Sequence, residues 1–273
     1  MIVDTHVHVV AADRERYPLS PSGITGDWFR EAPASVEQFL GLIDTAGVDR
    51  AVLVQAMSAY GFDNRYVVDA ARTHVGRLAS VVIVDTDDEP ALRLRELADR
   101  GGVTGVRLFA IGNPTLERLD DPKTFPVWEL AAERDLRVVV TILPDQLGEL
   151  SFMLDRYPAT PVVLDHCGFP DVSGGPPFVR AEPLFALADR SNLHLKVSSH
   201  LLEQVDPVAF VTRFAAVFGP DRLLWGSDFP QTHDRSYAEL VELGRAACAG
   251  LPMDQQRAFL GGNALRLWPR LGR

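Results

Sequence analysis

Two histidines one residue apart stand near the start of the chain, in Ile2-Val3-Asp4-Thr5-His6-Val7-His8-Val9-Val10. Neutral imidazole ligates zinc, iron or manganese, and it can also polarise a carbonyl. A strand turns residues i and i+2 to the same face, so His6 and His8 in a strand address one ion or one substrate together. Far downstream, Asp228 closes the run Leu223-Leu224-Trp225-Gly226-Ser227-Asp228. A carboxylate there ligates a metal, takes a proton from water, or does both in turn; Ser-Asp-Phe-Pro also reads as a turn or helix cap. His166 ends the run Val162-Val163-Leu164-Asp165-His166. Simple alternation points it inward with Val162 and Leu164, as a third ligand or a carbonyl-polarising electrophile. The same alternation points Asp165 outward, into a structural role. His6, His8, His166 and Asp228 are thus the expected catalytic set and the expected ligands of one divalent ion, Zn or Mn, with metal-free catalysis the open alternative.

A second set could orient a substrate. Arg107 and Lys196 lie within strand-like runs, where a bare charge is costly to bury. Each must pair with a substrate carboxylate or with an internal acid. The segment Gln55-Ala56-Met57-Ser58-Ala59-Tyr60-Gly61-Phe62-Asp63-Asn64-Arg65 offers Gln55, Tyr60, Asn64 and Arg65 to hydroxyls or carboxylates, with Asp63 read as a helix cap. His200 and His233 follow strands and are either pocket-lining or solvated; His74 and His194 read as structural. Cys167 adjoins His166, but alternation points the two apart, which argues against a Cys–His nucleophile. No GxSxG elbow occurs.

These residues need elements to bring them together. Strand-like runs rich in Val, Ile and Leu fall at 2–9, 50–55, 78–84, 103–109, 137–142, 161–165, 193–198 and 222–227. Helical patterns fall between them at 35–46, 64–74, 89–100, 124–134, 145–157, 181–190, 205–218 and 235–248. Strands buried on both faces are continuously apolar in this way. Eight strand–helix units predict an α/β fold, a single (β/α)8 TIM-type barrel spanning 1–273, with the first and last strands as neighbours. A doubly wound sheet is the alternative, but no GxGxxG follows the first strand. Two long connections, 11–34 and 167–180, follow strands and so belong to the C-terminal rim, where barrel enzymes keep their sites. A last helix from Pro252 is expected to pack on the barrel's outside.

Composition narrows the function. The 273 residues carry 27 basic and 37 acidic side chains, a net charge of −10, with no basic block. Nucleic acid and an anionic membrane surface are therefore excluded as expected partners, and a small molecule is favoured. Two cysteines in no metal or disulfide spacing, and an opening that lacks a basic, long-apolar leader pattern, lead to the expectation of a cytoplasmic protein. A monomer and a homodimer fit equally.

Taken together, Asp4-Thr5-His6-Val7-His8, Gly61-Phe62-Asp63-Asn64, Gly105-Val106-Arg107, Asp165-His166-Cys167-Gly168, Trp225-Gly226-Ser227-Asp228-Phe229-Pro230 and Gly262-Asn263-Ala264 resemble the amidohydrolase superfamily. The closer likeness is to its amidohydrolase-related branch, with lactonases of sugar acids and of pyrone dicarboxylate and with aromatic decarboxylases. The resemblance implies hydrolysis at the rim of a (β/α)8 barrel. It puts His6, His8 and Asp228 on metal-ligand positions and His166 on the strand-six histidine. Strand five, Arg137-Val138-Val139-Val140-Thr141-Ile142, lacks the histidine many metal-bearing relatives carry, and strand four lacks a bridging lysine. The likeness therefore implies one ion or none, rather than two. Phe169 stands where the pyrone-dicarboxylate lactonases have a basic residue. The expected function is opening of a small carboxylate- or hydroxyl-bearing lactone by water, with Asp228 as general base. The alternatives are a metal-dependent decarboxylase of an aromatic or muconate-type acid, and a barrel that binds a small acid without turning it over.

Overall fold

The computed structural model describes every residue except 23, 25, 232, 233 and 273. Eight strands follow one another around a parallel sheet: β1 (Val3–Val7), β2 (Arg50–Val54), β3 (Leu78–Ile83), β4 (Val103–Phe109), β5 (Arg137–Thr141), β6 (Val162–Leu164), β7 (Leu193–Ser198) and β8 (Leu223–Gly226). All eight lie inside the runs expected from apolar content. Helices separate them, and several start where a side chain satisfies the free N–H groups of the first turn. Ser35 and Gln38 form a capping box on the helix Val36–Ala46, as do Ser236 and Glu239 on Tyr237–Ala247.

Two shells of side chains hold the ring. Leu53, Val82, Val138, Val140, Leu164 and Trp225 face the surrounding helices. The alternate positions Val52, Val81, Val139, Val163 and Leu224 fill the interior. The C-terminal segment corrects one expectation. Leu267, Trp268 and Leu271 pack against this interior set, so the segment plugs the N-terminal end of the barrel instead of lying on its outer wall. The helix expected at 181–190 is also shorter, Glu182–Phe185. Beyond it the bonding tightens to i→i−3 turns, Leu187 N–H to Leu184 O and Ala188 N–H to Phe185 O, both 3.0 Å.

The seam between β1 and β8 closes the ring and builds the site. His8 N–H donates to Phe229 O at 2.8 Å and Asp228 N–H to His6 O at 2.9 Å. Lower down, Thr5 Oγ1 donates to Trp225 O and Ser227 N–H to Asp4 Oδ1. A Cβ on Gly226 would sit 2.8 Å from His6 Cβ, so only glycine lets the two strands come this close. Among the described residues, no helix is long and apolar enough to cross a membrane.

Candidate active site

β1 carries an irregularity in register between Asp4 and Val7, after which His6 and His8 both point to the barrel mouth. His6 Nε2 and His8 Nε2 are 3.2 Å apart, and each lies 3.5 Å from Asp228 Oδ1. His8 Nδ1 donates to Val54 O at 2.9 Å, which leaves Nε2 as a bare acceptor. His6 Nδ1 lies 3.3 Å from Asp165 Oδ1, whose field keeps the imidazole proton on that nitrogen. Three acceptors therefore converge with no donor between them, and Asp228 Oδ1 is buried without a hydrogen bond. Like charges and lone pairs at this distance call for a cation or a proton. Bonds of 2.0–2.1 Å to a tetrahedral ion set its ligands about 3.3–3.4 Å apart. His6, His8 and Asp228 fit one divalent ion by that measure, and each His carries the second partner that fixes a ligating imidazole.

His166 arrives differently from expectation. β6 stops at Leu164, and Val162 and Leu164 face the helices, not the mouth. Val163 and then Asp165 face inward. His166, Cys167, Gly168 and Phe169 all take positive φ, a left-handed turn that brings His166 back over the mouth. Its Nδ1 is 2.8 Å from Ser198 Oγ. It groups with His6 and Asp165 and stands outside the tight His6–His8–Asp228 set.

Asp165, expected to point outward, is the centre of the site's foundation. Its Oδ2 accepts from Arg107 Nε and from Thr141 Oγ1, each at 2.8 Å, and its Oδ1 lies 2.8 Å from Lys196 Nζ. Burial alone would raise its carboxyl, but Lys196, His6 and Arg107 outweigh it and hold it well below the usual range. Burial also drives the His6 and His166 imidazoles toward neutrality, helped at His6 by the Lys196 charge. Asp228 meets the same burial cost, which the surrounding imidazoles override, so it is ionised at neutral pH. Asp4, beneath them, accepts from Tyr237 Oη, and burial pushes its carboxyl up to about 6.

A cavity of about 240 Å³ opens above His8 and His166. Arg107 lines it, but Lys196 is fully buried against Asp165 and takes the internal-pair reading. The segment after β2 is corrected. Gln55 Nε2 donates to Gly61 O and Asp63 O, and Asn64 Nδ2 to Phe62 O and Ile83 O. Tyr60 Oη accepts from Ala11 N–H and anchors the 11–34 loop, while Arg65 pairs with Asp63 at 2.6 Å on the surface. None of the four is among the described residues lining the cavity; their polar atoms are spent on the turn's backbone, on the 11–34 loop or in a surface ion pair. His200 is exposed and bonded to Gln204; Cys167 is buried, its Sγ directed to Lys196 O and its thiol pushed up by burial. His233 lies outside the described residues. Trp28, Thr141 and Ser198 join the site without having been singled out, and Phe169, noted only as a departure from the likeness, lines the cavity against His166. Thr141 alone had a signal, a hydroxyl at an inward position of a valine strand.

A parallel barrel with imidazoles and a carboxylate gathered at the C-terminal ends of its strands has the architecture of a barrel hydrolase. A family profile described as amidohydrolase matches residues 3–270, and the chain belongs to that family; it is an enzyme of the hydrolase type. It is 28% identical to an L-fucono-1,5-lactonase of Burkholderia ambifaria, over 97% of this chain and 94% of that one. It is 34% identical to a 2-pyrone-4,6-dicarboxylate hydrolase of Comamonas testosteroni, over 84% of this chain and 76% of that one. Among solved structures, a candidate 2-pyrone-4,6-dicarboxylic acid hydrolase from Pseudomonas putida superposes with a TM-score of 0.80 at 27% identity, covering 98% of this chain and 97% of that one.

Proposed function

We propose that this chain is a lactonase that opens a small lactone ring with water. The observation that carries the reading is the convergence of His6 Nε2, His8 Nε2 and Asp228 Oδ1 below a cavity that also presents Arg107. Relatives that open sugar and pyrone lactones support it. Asp228, ionised at neutral pH, takes the proton of the attacking water and returns it to the leaving alkoxide. In the tautomer that accepts the Ser198 hydroxyl at Nδ1, His166 carries its own proton on Nε2 and offers it to the carbonyl oxygen as negative charge develops there. Asp165 orients His6, and Val54 O orients His8. Arg107 steers a carboxylate. A divalent ion, Zn or Mn, held by His6, His8 and Asp228 would supply Lewis acidity and a more acidic water.

Proton release over a panel of sugar-acid, muconate-type and dicarboxylate lactones, before and after chelation, tests the reading. Turnover lost on chelation and restored by one ion supports the metal-assisted form; turnover that survives supports direct action of the imidazoles. Carbon dioxide in place of a proton would transfer the site to decarboxylation.

A further inference from the structure

We infer that the substrate is a small, flat, unsaturated lactone bearing one carboxylate, and neither a polyhydroxylated sugar lactone nor a dicarboxylate. This inference rests on the lactonase reading and narrows it.

The walls of the cavity carry the argument. Trp28, Phe109 and Phe169 supply aromatic surface, and Met57, Ile111 and Leu143 supply aliphatic surface. Trp28 lies against His8 with ring centroids 5.4 Å apart, and Phe169 against His166 at 4.9 Å. The reacting groups are thus flanked by rings that favour a planar, apolar body between them. The volume of about 240 Å³ is below the roughly 300–1,000 Å³ of pockets for drug-sized ligands, which suits a single ring.

Polar capacity is scarce. Apart from the histidines, the polar lining among the described residues is Ser58, Thr141, Gln231, Arg107 and the indole N–H of Trp28, which is buried without a hydrogen-bond partner. The Thr141 hydroxyl already donates to Asp165. A sugar lactone brings several hydroxyls, each of which must exchange water for a protein partner. Most would face Phe109, Ile111, Leu143 or Phe169 and find none among the described residues.

Charge capacity is one. Arg107 is the only lining residue, among those described, that carries a fixed charge. Its Nε is committed to Asp165 and Thr141, and neither terminal amino group bonds a described residue. The guanidinium rests over the Phe109 ring at 4.8 Å, which fixes its plane. Asp165 is shared by Arg107 and Lys196, and ionised Asp228 balances the second of these cations, so what the cavity offers a carboxylate is the single Arg107 guanidinium and not a net charge. One guanidinium accommodates one carboxylate. A second carboxylate would be set against aromatic and aliphatic walls with no second cationic side chain among the described lining residues, which is costly.

The test is kcat/KM on three probes: an unsaturated five-membered lactone with one acetate side chain, L-fucono-1,5-lactone, and 2-pyrone-4,6-dicarboxylate. The first should exceed each of the others by about 100-fold, the penalty of hydroxyls or charge left unpaired in such a pocket. Phe169→Arg adds a cation to the bare wall and should improve the dicarboxylate relative to the mono-acid by about tenfold. Equal rates, or preference for either of the other lactones, would overturn the inference and leave the lactonase reading standing. An unchanged ratio in a folded Phe169→Arg protein would overturn it as well; if that variant does not fold, the wild-type ranking decides. Opening of none of the three would overturn the lactonase reading itself, and calorimetric binding of the three ring-opened acids would then still decide whether one flat mono-acid is selected.

Discussion

Asp228 and Asp4 share the seam and have opposite electrostatics. Asp228 is surrounded by imidazoles and stays ionised, so its substitution should affect chemistry more than folding. Asp228→Asn keeps the shape and removes the proton acceptor. We expect kcat to fall by about 10²–10⁴-fold with an unchanged far-UV spectrum; full activity would remove Asp228 from the mechanism. Asp4 is buried among donors, with its pKa raised from 3.8 to about 6. A raised folded pKa means that the native state binds the proton more tightly than the unfolded chain. The stability gained is complete below the unfolded value near 3.8 and is lost as pH rises through about 6. Two units correspond to about 3 kcal/mol. In Asp4→Asn that loss between pH 4 and 7 should disappear from urea-unfolding free energies. The same slope in both proteins would assign the pH dependence elsewhere. The meeting of His6, His8 and Asp228 was legible in the sequence because strand ends announce themselves by apolar runs followed by polar residues. Asp165 was not. It faces inward in phase with Val163, where simple alternation puts Val162 and Leu164 inward, while His166 is returned to the mouth by four consecutive left-handed residues after Asp165, a turn of His, Cys, Gly and Phe that no periodicity encodes.

Among elements, the strands and the meeting of the first with the last could be read from the chain, and the close spacing at their seam could not. Valine-rich runs gave all eight strands, and their order followed from alternation with helices. The direction of the side chains after β2 could not be read for a related reason. Polar residues in a tight turn look identical whether they face a ligand or their own backbone, and Gln55 and Asn64 face backbone. The C-terminal segment was placed outside the barrel because amphipathic character does not say which end of a ring it covers. At the seam, one glycine decides the distance between the reacting strands. Gly226→Ala would push a methyl to 2.8 Å from His6 Cβ and 3.1 Å from His6 N. Neither is a flexible side-chain tip, so the backbone must give. We expect a destabilisation of about 1–3 kcal/mol. Turnover should fall as well, because the His6–Asp228 separation is set across this contact. Wild-type kcat in a Gly226→Ala protein of normal Tm would show that the seam tolerates separation and that Asp228 is positioned by its own turn.

For the whole molecule, ring closure and the chemical site are the same structure. β1 begins the chain and β8 ends the sheet, so their junction is the contact of greatest sequence separation in the barrel, and it is made by few backbone bonds. The three converging acceptors straddle it, His6 and His8 on one side and Asp228 on the other. A divalent ion bound there would therefore join the two ends of the sheet, and its affinity would appear in global stability. Ligand binding to the native state adds RT ln(1 + [L]/Kd), about 2.7 kcal/mol at a hundredfold excess over Kd. For a chain of this size each kcal/mol moves Tm by roughly 2–4 °C. Zn or Mn should raise Tm by roughly 5–10 °C at such an excess. Chelation should reverse the rise, and His8→Ala should blunt it without lowering the apo Tm by as much. The net charge of −10 draws cations to the surface generally, which makes the His8→Ala comparison the decisive one. A shift of equal size in wild type and His8→Ala would mean that the ion binds elsewhere. No shift with either metal would mean that a proton, shared among His6, His8 and Asp228, is what relieves the convergence of acceptors.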